Sequence, residues 1–352
     1  VPEWGIFWLA PLVAWVGAVL ATRAMLVGGI SDKPDEVRKA HDLIVPTAGG
    51  VGMALGSGIA VLLFLAFPNS HLDYGAGSAG YNAALVLLLG AFGVTLGLAD
   101  DLWKLASRLK FVLLAAASLA FAAFGAHANS LPITNTIALS LGPIGAVIGT
   151  ALWIFTIANT VNFTDGANGL SMGSTAIGLA TLGLLCLVHG EPVIALVALC
   201  VAASLAGSLV LNFPKGRLFA GDAGALFAGL SVGGVGAVAA SIDVAPWAIA
   251  LCFLPQLADV LLTLAWRLSK RRNLLASHRD HMFQIGLRAG VSHGRIATLY
   301  WGLTAHCCLC AVAGALLGPL IALLALVVNA GVGVMLFLKV RKFAAAQGHD
   351  GA

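Results

Sequence analysis

Apolar segments of about 17–22 residues recur from one end of this chain to the other, each long enough to cross a bilayer core of about 30 Å. This restricts the fold sharply. Backbone immersed in lipid must satisfy its own hydrogen bonds, and runs of this length do so as helices. The segments at 5–27, 48–67, 81–98, 110–125, 143–161, 171–188, 193–211, 223–240, 246–266, 296–316 and 318–338 predict about eleven spans. A chain that is 60% hydrophobic and 10% charged, with mean hydropathy +0.97, belongs in the same class. The shorter run at 131–142 reads as a loop. No loop exceeds about 30 residues, too few for a separate soluble domain. The expectation is a single all-α polytopic membrane domain over 1–352, with polar loops at about 28–47, 99–110, 159–170, 212–224 and 267–295.

The 19 basic residues sort these loops. They fall at Arg23, at 33–39, at 104–110, at Lys215 and Arg217, between Arg267 and Arg295, and at 339–342. With eleven spans all of these lie on one side, and the alternate loops at 68–80, 126–142, 189–192, 241–245 and 317 carry none. The positive-inside rule makes the basic side cytoplasmic, with the N-terminus periplasmic and the C-terminus inside. A ten-span arrangement breaks the sorting. The first segment lacks a basic leader region and a small-residue cleavage site, so it reads as a span and not a signal peptide. The chain starts at Val1 without Met, which leaves upstream sequence open. A net charge of +4 calls for no nucleic-acid partner, because the cations orient the protein and favour anionic head groups. Homodimerisation is left open.

The 6 cysteines lie in apolar spans and read as packed thiols. His306 to Cys310 resembles a metal cluster, but neighbours on a helix point in different directions. The 43 glycines read mainly as close helix packing, as at Gly49-Gly50-Val51-Gly52 and Gly233-Gly234-Val235-Gly236.

Against this oily background the stretch Asn159 to Leu170 stands out, with three Asn, one Asp, two Thr and two Gly and no Lys or Arg. It closes one apolar run and opens the next on the basic side. The same side carries Asp100 and Asp101, Asp165, Asp222 and Asp280. Each has an ordinary explanation: a helix-end salt bridge from Asp100-Asp101 to Lys104, a turn at Asp165-Gly166, an N-cap at Asp222. Together, acids at one depth on several spans make a cleft of oxygen ligands that suits Mg²⁺, and therefore phosphate. The last large loop supplies the complement. His278, Arg279 and His281 offer donors to a diphosphate, whereas Lys270, Arg271 and Arg272 read as a membrane anchor. Asp259 is the one acid within a span, and structural pairing near the interface is its expected role.

These loops together resemble the polyprenyl-phosphate N-acetylhexosamine-1-phosphate transferases (glycosyltransferase family 4). The superfamily includes the bacterial WecA and MraY types and the eukaryotic GlcNAc-1-phosphate transferase. The matching pieces are Arg38 to Gly50, Asp100 to Lys104, Asn159 to Leu170, Phe219 to Gly224 and His278 to His281. The resemblance implies transfer of a sugar 1-phosphate from a UDP-N-acetylhexosamine to polyprenyl (undecaprenyl) phosphate in the bacterial inner membrane, releasing UMP. It implies Mg²⁺, with Mn²⁺ as an alternative, held by Asp222, Asn162 and Asp101. Asp100, Asp101 and Asp165 match the shared acidic site, Lys104 a phosphate-neutralising lysine, and Lys110 a further basic position. Phe219 resembles the ring that stacks on uracil, and Asn168 a uracil-recognition position. Asn159 falls in the same substrate motif. His281, with Arg279 and His278, would hold the diphosphate or leaving group.

Two departures narrow the resemblance. Asn168 stands where many bacterial members have a second Asp, and an amide both donates to and accepts from a base edge. Phe283 and Gln284 follow His281 where a histidine cluster is common. Both point away from the muramoyl-pentapeptide type and toward initiation of O-antigen, exopolysaccharide or related envelope glycans. In another class, a secondary transporter would place ionisable groups near the midplane, where only Asp259 and His306 qualify.

Overall fold

The computed structural model of the chain describes residues 3–28, 49–66, 78–274, 276 and 278–348. The predicted first loop, with Arg38 and the motif up to Thr47, lies outside the described residues.

Ten helices among the described residues are long and apolar enough to cross a membrane. They are α1 (Glu3–Gly28), α2 (Gly49–Ala66), α3 (Ser78–Trp103), α4 (Ser107–Phe124), α5 (Gly142–Thr164), α6 (Leu170–Val188), α7 (Pro192–Asn212), α8 (Gly221–Ser241), α12 (His293–Leu317) and α13 (Pro319–Ala346). The predicted span at 246–266 is not one helix. It forms α9 (Pro246–Leu251) and α10 (Leu254–Ser269), interrupted at Cys252 and Phe253. Pro255, in the first turn of α10, accounts for the break: it lacks an N–H and disfavours helix just before it. The buried Phe253 ring and the Cys252 carbonyl pack tightly over Gly178 of α6.

The expected loop at 131–142 contains a small antiparallel hairpin, β1 (Ser130–Pro132) and β2 (Ala138–Ser140), with Leu131 opposite Leu139. The Trp247 indole donates to the Pro132 carbonyl at 2.6 Å and ties the hairpin to α9. The loop after α10 contains a short helix, α11 (Met282–Arg288).

The glycine-rich α8 forms the axis of the bundle. It is buried along almost its whole length, while α13 is largely exposed. It packs against α2, α3, α5 and α6. Small residues allow this: a Cβ on Gly97 of α3 would stand 2.3 Å from Ala223 Cα, and one on Gly50 of α2 would stand 2.1 Å from Gly224 N. The glycine runs at 49–52 and 233–236 are helix contacts, as expected.

The bundle has two chemically distinct ends. At one, Asn129, Glu191 and Ser241, from three loops free of basic residues, line a cleft of about 370 Å³. At the other, α3, α5 and α10 end and α8 begins, so their terminal polar residues converge.

Candidate active site

Four carboxylates approach one another at the start of α8. Asp100 and Asp101 stand in the last turn of α3, Asp165 follows α5, and Asp222 lies in the first turn of α8. The Lys110 ammonium, from the first turn of α4, lies between two of them, 2.7 Å from Asp100 Oδ2 and 2.8 Å from Asp222 Oδ2. The Asn162 amide donates to the other Asp222 oxygen at 3.0 Å. Asp101 accepts the Asp222 and Ala223 backbone N–H groups at 3.2 and 3.3 Å. The Asp101 carboxyl therefore sits at the positive end of the α8 dipole and ties the end of α3 to the start of α8.

Burial, then the charges of Asp222 and Asp101, push the Asp165 carboxyl up to about 7. A carboxylate held near others in this way is short of positive charge. Hard oxygen donors with excess negative charge fit a divalent cation such as Mg²⁺. Among the described residues no group of three or more His, Cys, Asp or Glu side chains forms a complete metal site. Asp222 meets Lys110 through one oxygen and the Asn162 amide through the other, and both Asp101 oxygens take backbone amides of α8.

The loop between α5 and α6 is tightly supported. Asn212, at the end of α7, accepts the Gly169 N–H at 2.6 Å and donates to the Leu218 carbonyl at 2.8 Å. It thereby ties the loop to the strand of chain leading into α8. Gly169 has φ +75, and a Cβ there would lie 2.7 Å from the Phe213 ring, so only glycine suits the position. Asn168 receives a place in this scaffold: its backbone donates to His293 Nδ1 at 3.2 Å and its amide to the Pro214 carbonyl at 3.0 Å. Its side-chain oxygen is buried without a hydrogen-bond partner. Asn159 lies one turn before Asn162 in α5, and its amide donates to the Phe155 carbonyl at 2.8 Å. Phe219 is half-buried beside α8, and its carbonyl accepts the Gly49 N–H at 3.2 Å.

The second cluster lies on the loop after α10. The His281 ring, 3% exposed, lies 5.0 Å from His278, 6.2 Å from Phe163 and 6.0 Å from Phe283, centroid to centroid. Phe163 adjoins Asn162 and lies 6.4 Å from Phe111, the neighbour of Lys110, so a run of rings joins the two clusters. Burial, then His281 and Arg267, lower His278 to about 4, and the ring is neutral at neutral pH. Asp280 is bonded to Arg267, and its carbonyl accepts from Arg341. Arg279 is exposed.

Lys104, the lysine expected near phosphate, lies just beyond α3, exposed and with φ 51. The cation between the carboxylates is Lys110. Asn212 is the positioning residue that sequence reasoning missed, although an Asn ending an apolar helix was a visible signal. The cysteines are free thiols.

Residues 83–240, which include both halves of the carboxylate cluster, match the family described as glycosyl transferase family 4. Over 276 residues the chain is 27% identical to a Bacillus subtilis (strain 168) protein named "Probable undecaprenyl-phosphate N-acetylglucosaminyl 1-phosphate transferase", covering 77% of the chain and 73% of that protein. It is 28% identical to the decaprenyl-phosphate N-acetylglucosaminephosphotransferase of Mycobacterium leprae (strain TN), covering 82% of the chain and 80% of the relative. A phospho-N-acetylmuramoyl-pentapeptide-transferase of Moorella thermoacetica is 31% identical over a shorter stretch, 44% of this chain and 47% of its own.

Proposed function

We propose that this protein is a family 4 transferase that moves N-acetylhexosamine 1-phosphate from a UDP-sugar to polyprenyl phosphate, giving polyprenyl diphospho-N-acetylhexosamine and UMP. The observation that carries the reading is the convergence of Asp100, Asp101, Asp165 and Asp222 around Lys110 and Asn162 at one end of the bundle. A phosphoryl-transfer site must bring two anions together, and it works mainly by positioning and charge neutralisation. A lipid phosphate monoester, with a second pKa near ~6, is largely dianionic at neutral pH and is nucleophilic without a general base. Its oxygen attacks the β-phosphorus of the UDP-sugar and UMP departs. Lys110 offsets the charge of Asp100 and Asp222. Mg²⁺ bound by Asp222 and Asn162 would supply the remaining positive charge on the diphosphate. Asp100 faces the acceptor phosphate as an organiser. Asn168 and Phe219 form the uracil subsite, and His281, with His278 and Arg279, holds the diphosphate of the bound UDP-sugar from which UMP leaves.

The reading places the cleft on the cytoplasmic side of a bacterial inner membrane, where the basic loops lie. GlcNAc or a related 2-acetamido sugar is favoured, because the relatives named for N-acetylglucosamine align over about three quarters of the chain. The pathway is the first membrane step of an envelope glycan. Purified protein with polyprenyl phosphate, Mg²⁺ and a panel of UDP-sugars should release UMP with a UDP-N-acetyl sugar. No release from any of them sinks the proposal.

A further inference from the structure

The Asp259 carboxylate is fully buried in α10 and takes part in neither the acidic cleft nor the basic loop anchor. It is nonetheless saturated with donors. Oδ1 accepts the Met282 N–H at 2.7 Å and the Thr263 hydroxyl at 3.3 Å; Oδ2 accepts the Tyr300 hydroxyl at 2.6 Å and the Phe283 N–H at 3.3 Å. Two of these donors are the first backbone amides of α11, whose preceding residue is His281. The same Oδ1 lies 3.6 Å from His281 Nδ1, a buried atom with no hydrogen-bond partner of its own. The Gln284 side chain closes on the His281 N–H at 3.2 Å, and Phe283 stacks on the ring at an interplanar angle of 12°.

An intramembrane carboxylate is costly, and one that holds a helix start, a tyrosine and a histidine edge together has a positional use. A carboxylate opposite Nδ1 selects the tautomer that carries the proton there, so Nε2, on the far edge of the ring, becomes the working atom. We propose that Asp259 is a positioning residue for the transfer reaction, acting through His281 by fixing its ring and tautomer from α10, with Tyr300 of α12 holding the carboxylate in place. The inference rests on the function proposed above, in which His281 contacts the diphosphate. The His281 ring is faced by His278, Phe163 and Phe283, and its Nδ1 by Asp259; Asp280 lies beside His278 and is paired with Arg267, and Tyr300 bonds Asp259.

The test is a double-mutant cycle on sugar-phosphate transfer, with folding checked by size exclusion in detergent. Asp259→Asn should lower kcat about 10-fold or more and leave KM for the UDP-sugar within about twofold. In a His281→Ala background the same substitution should cost less than about twofold, because the residue it acts through is gone. Tyr300→Phe, a milder change that keeps the fold if Asp259→Asn does not, should follow the same pattern with a smaller loss. Losses that multiply with that of His281→Ala, or a raised KM with kcat unchanged, overturn the positioning role. If His281→Ala itself leaves kcat intact, the role given to His281 in the proposed function fails instead.

Discussion

Lys110 Nζ reaches Asp222 Oδ2 at 2.8 Å, across 112 residues of chain, and this contact joins the start of α4 to the start of α8. In the proposed reaction the lysine is a working part of the cleft. Its side chain is about 10% exposed, and it neutralises two carboxylates that would otherwise repel each other and the phosphates. Lys110→Gln should lower kcat for UMP release by about 10²-fold or more, the order lost with one preorganised charge contact. Lys104→Gln, at an exposed position, should cost less than about tenfold. Equal losses at the two sites would remove the distinction between them.

That lysine also marks where sequence reading stops. Lys104 looked like the partner of Asp100 because it lies four residues on, one helical turn away. But α3 ends at Trp103, and Lys104 takes a positive φ that turns the chain. Lys110 returns from the next helix, and no local spacing encodes that approach. The spans and the sorting of polar loops to one end were legible because both depend on runs of composition. The break at Cys252-Phe253 was less so: Pro255 signals it, yet the apolar run continues across it unbroken. Asp259 was visible as an acid inside a span. What it holds was not, since its partners Met282, Phe283 and Tyr300 lie 23, 24 and 41 residues away.

Asp165 makes a pH-dependent contribution whose sign can be worked out. Its folded-state pKa is raised from 3.8 to about 7, so the folded state binds more protons than the unfolded one between those values. The stability this group contributes is complete below about pH 4 and is lost as pH rises through about 7. Metal-free Asp165→Asn should therefore unfold at a higher temperature than the parent at pH 8, with the difference vanishing near pH 4. Thermal unfolding in detergent with a chelator reads it. A variant less stable than the parent at pH 8 would contradict the assignment.

Divalent metal should be needed for turnover and should bind through Asp222. Chelation is expected to abolish UMP release, with recovery on adding Mg²⁺ or Mn²⁺. Mg²⁺ should raise the melting temperature of the parent, since a ligand that binds only the folded state stabilises it. Asp222→Ala should lose both the turnover and the melting shift. Turnover that persists in excess chelator would rule out the metal.

The spacing of α3 and α8 sets the distance between Asp101 and the α8 amides it caps, so it can be tested without touching a polar group. A Cβ on Gly97 would stand 2.3 Å from Ala223 Cα and N and 2.4 Å from the Asp222 carbonyl carbon. All of these are backbone, which cannot swing aside as a side chain does. Gly97→Ala must push the two helices apart, at a cost near the upper end of the ~1–3 kcal/mol typical of overpacking. The displacement would lengthen the bonds from Asp101 to the Asp222 and Ala223 N–H groups and widen the gap that Lys110 spans. Activity should fall more steeply than stability. Gly58→Ala in α2 meets nothing within 4 Å and should change neither. If Gly97→Ala proves as active as Gly58→Ala, the close approach of α3 to α8 is not what holds the carboxylates in register.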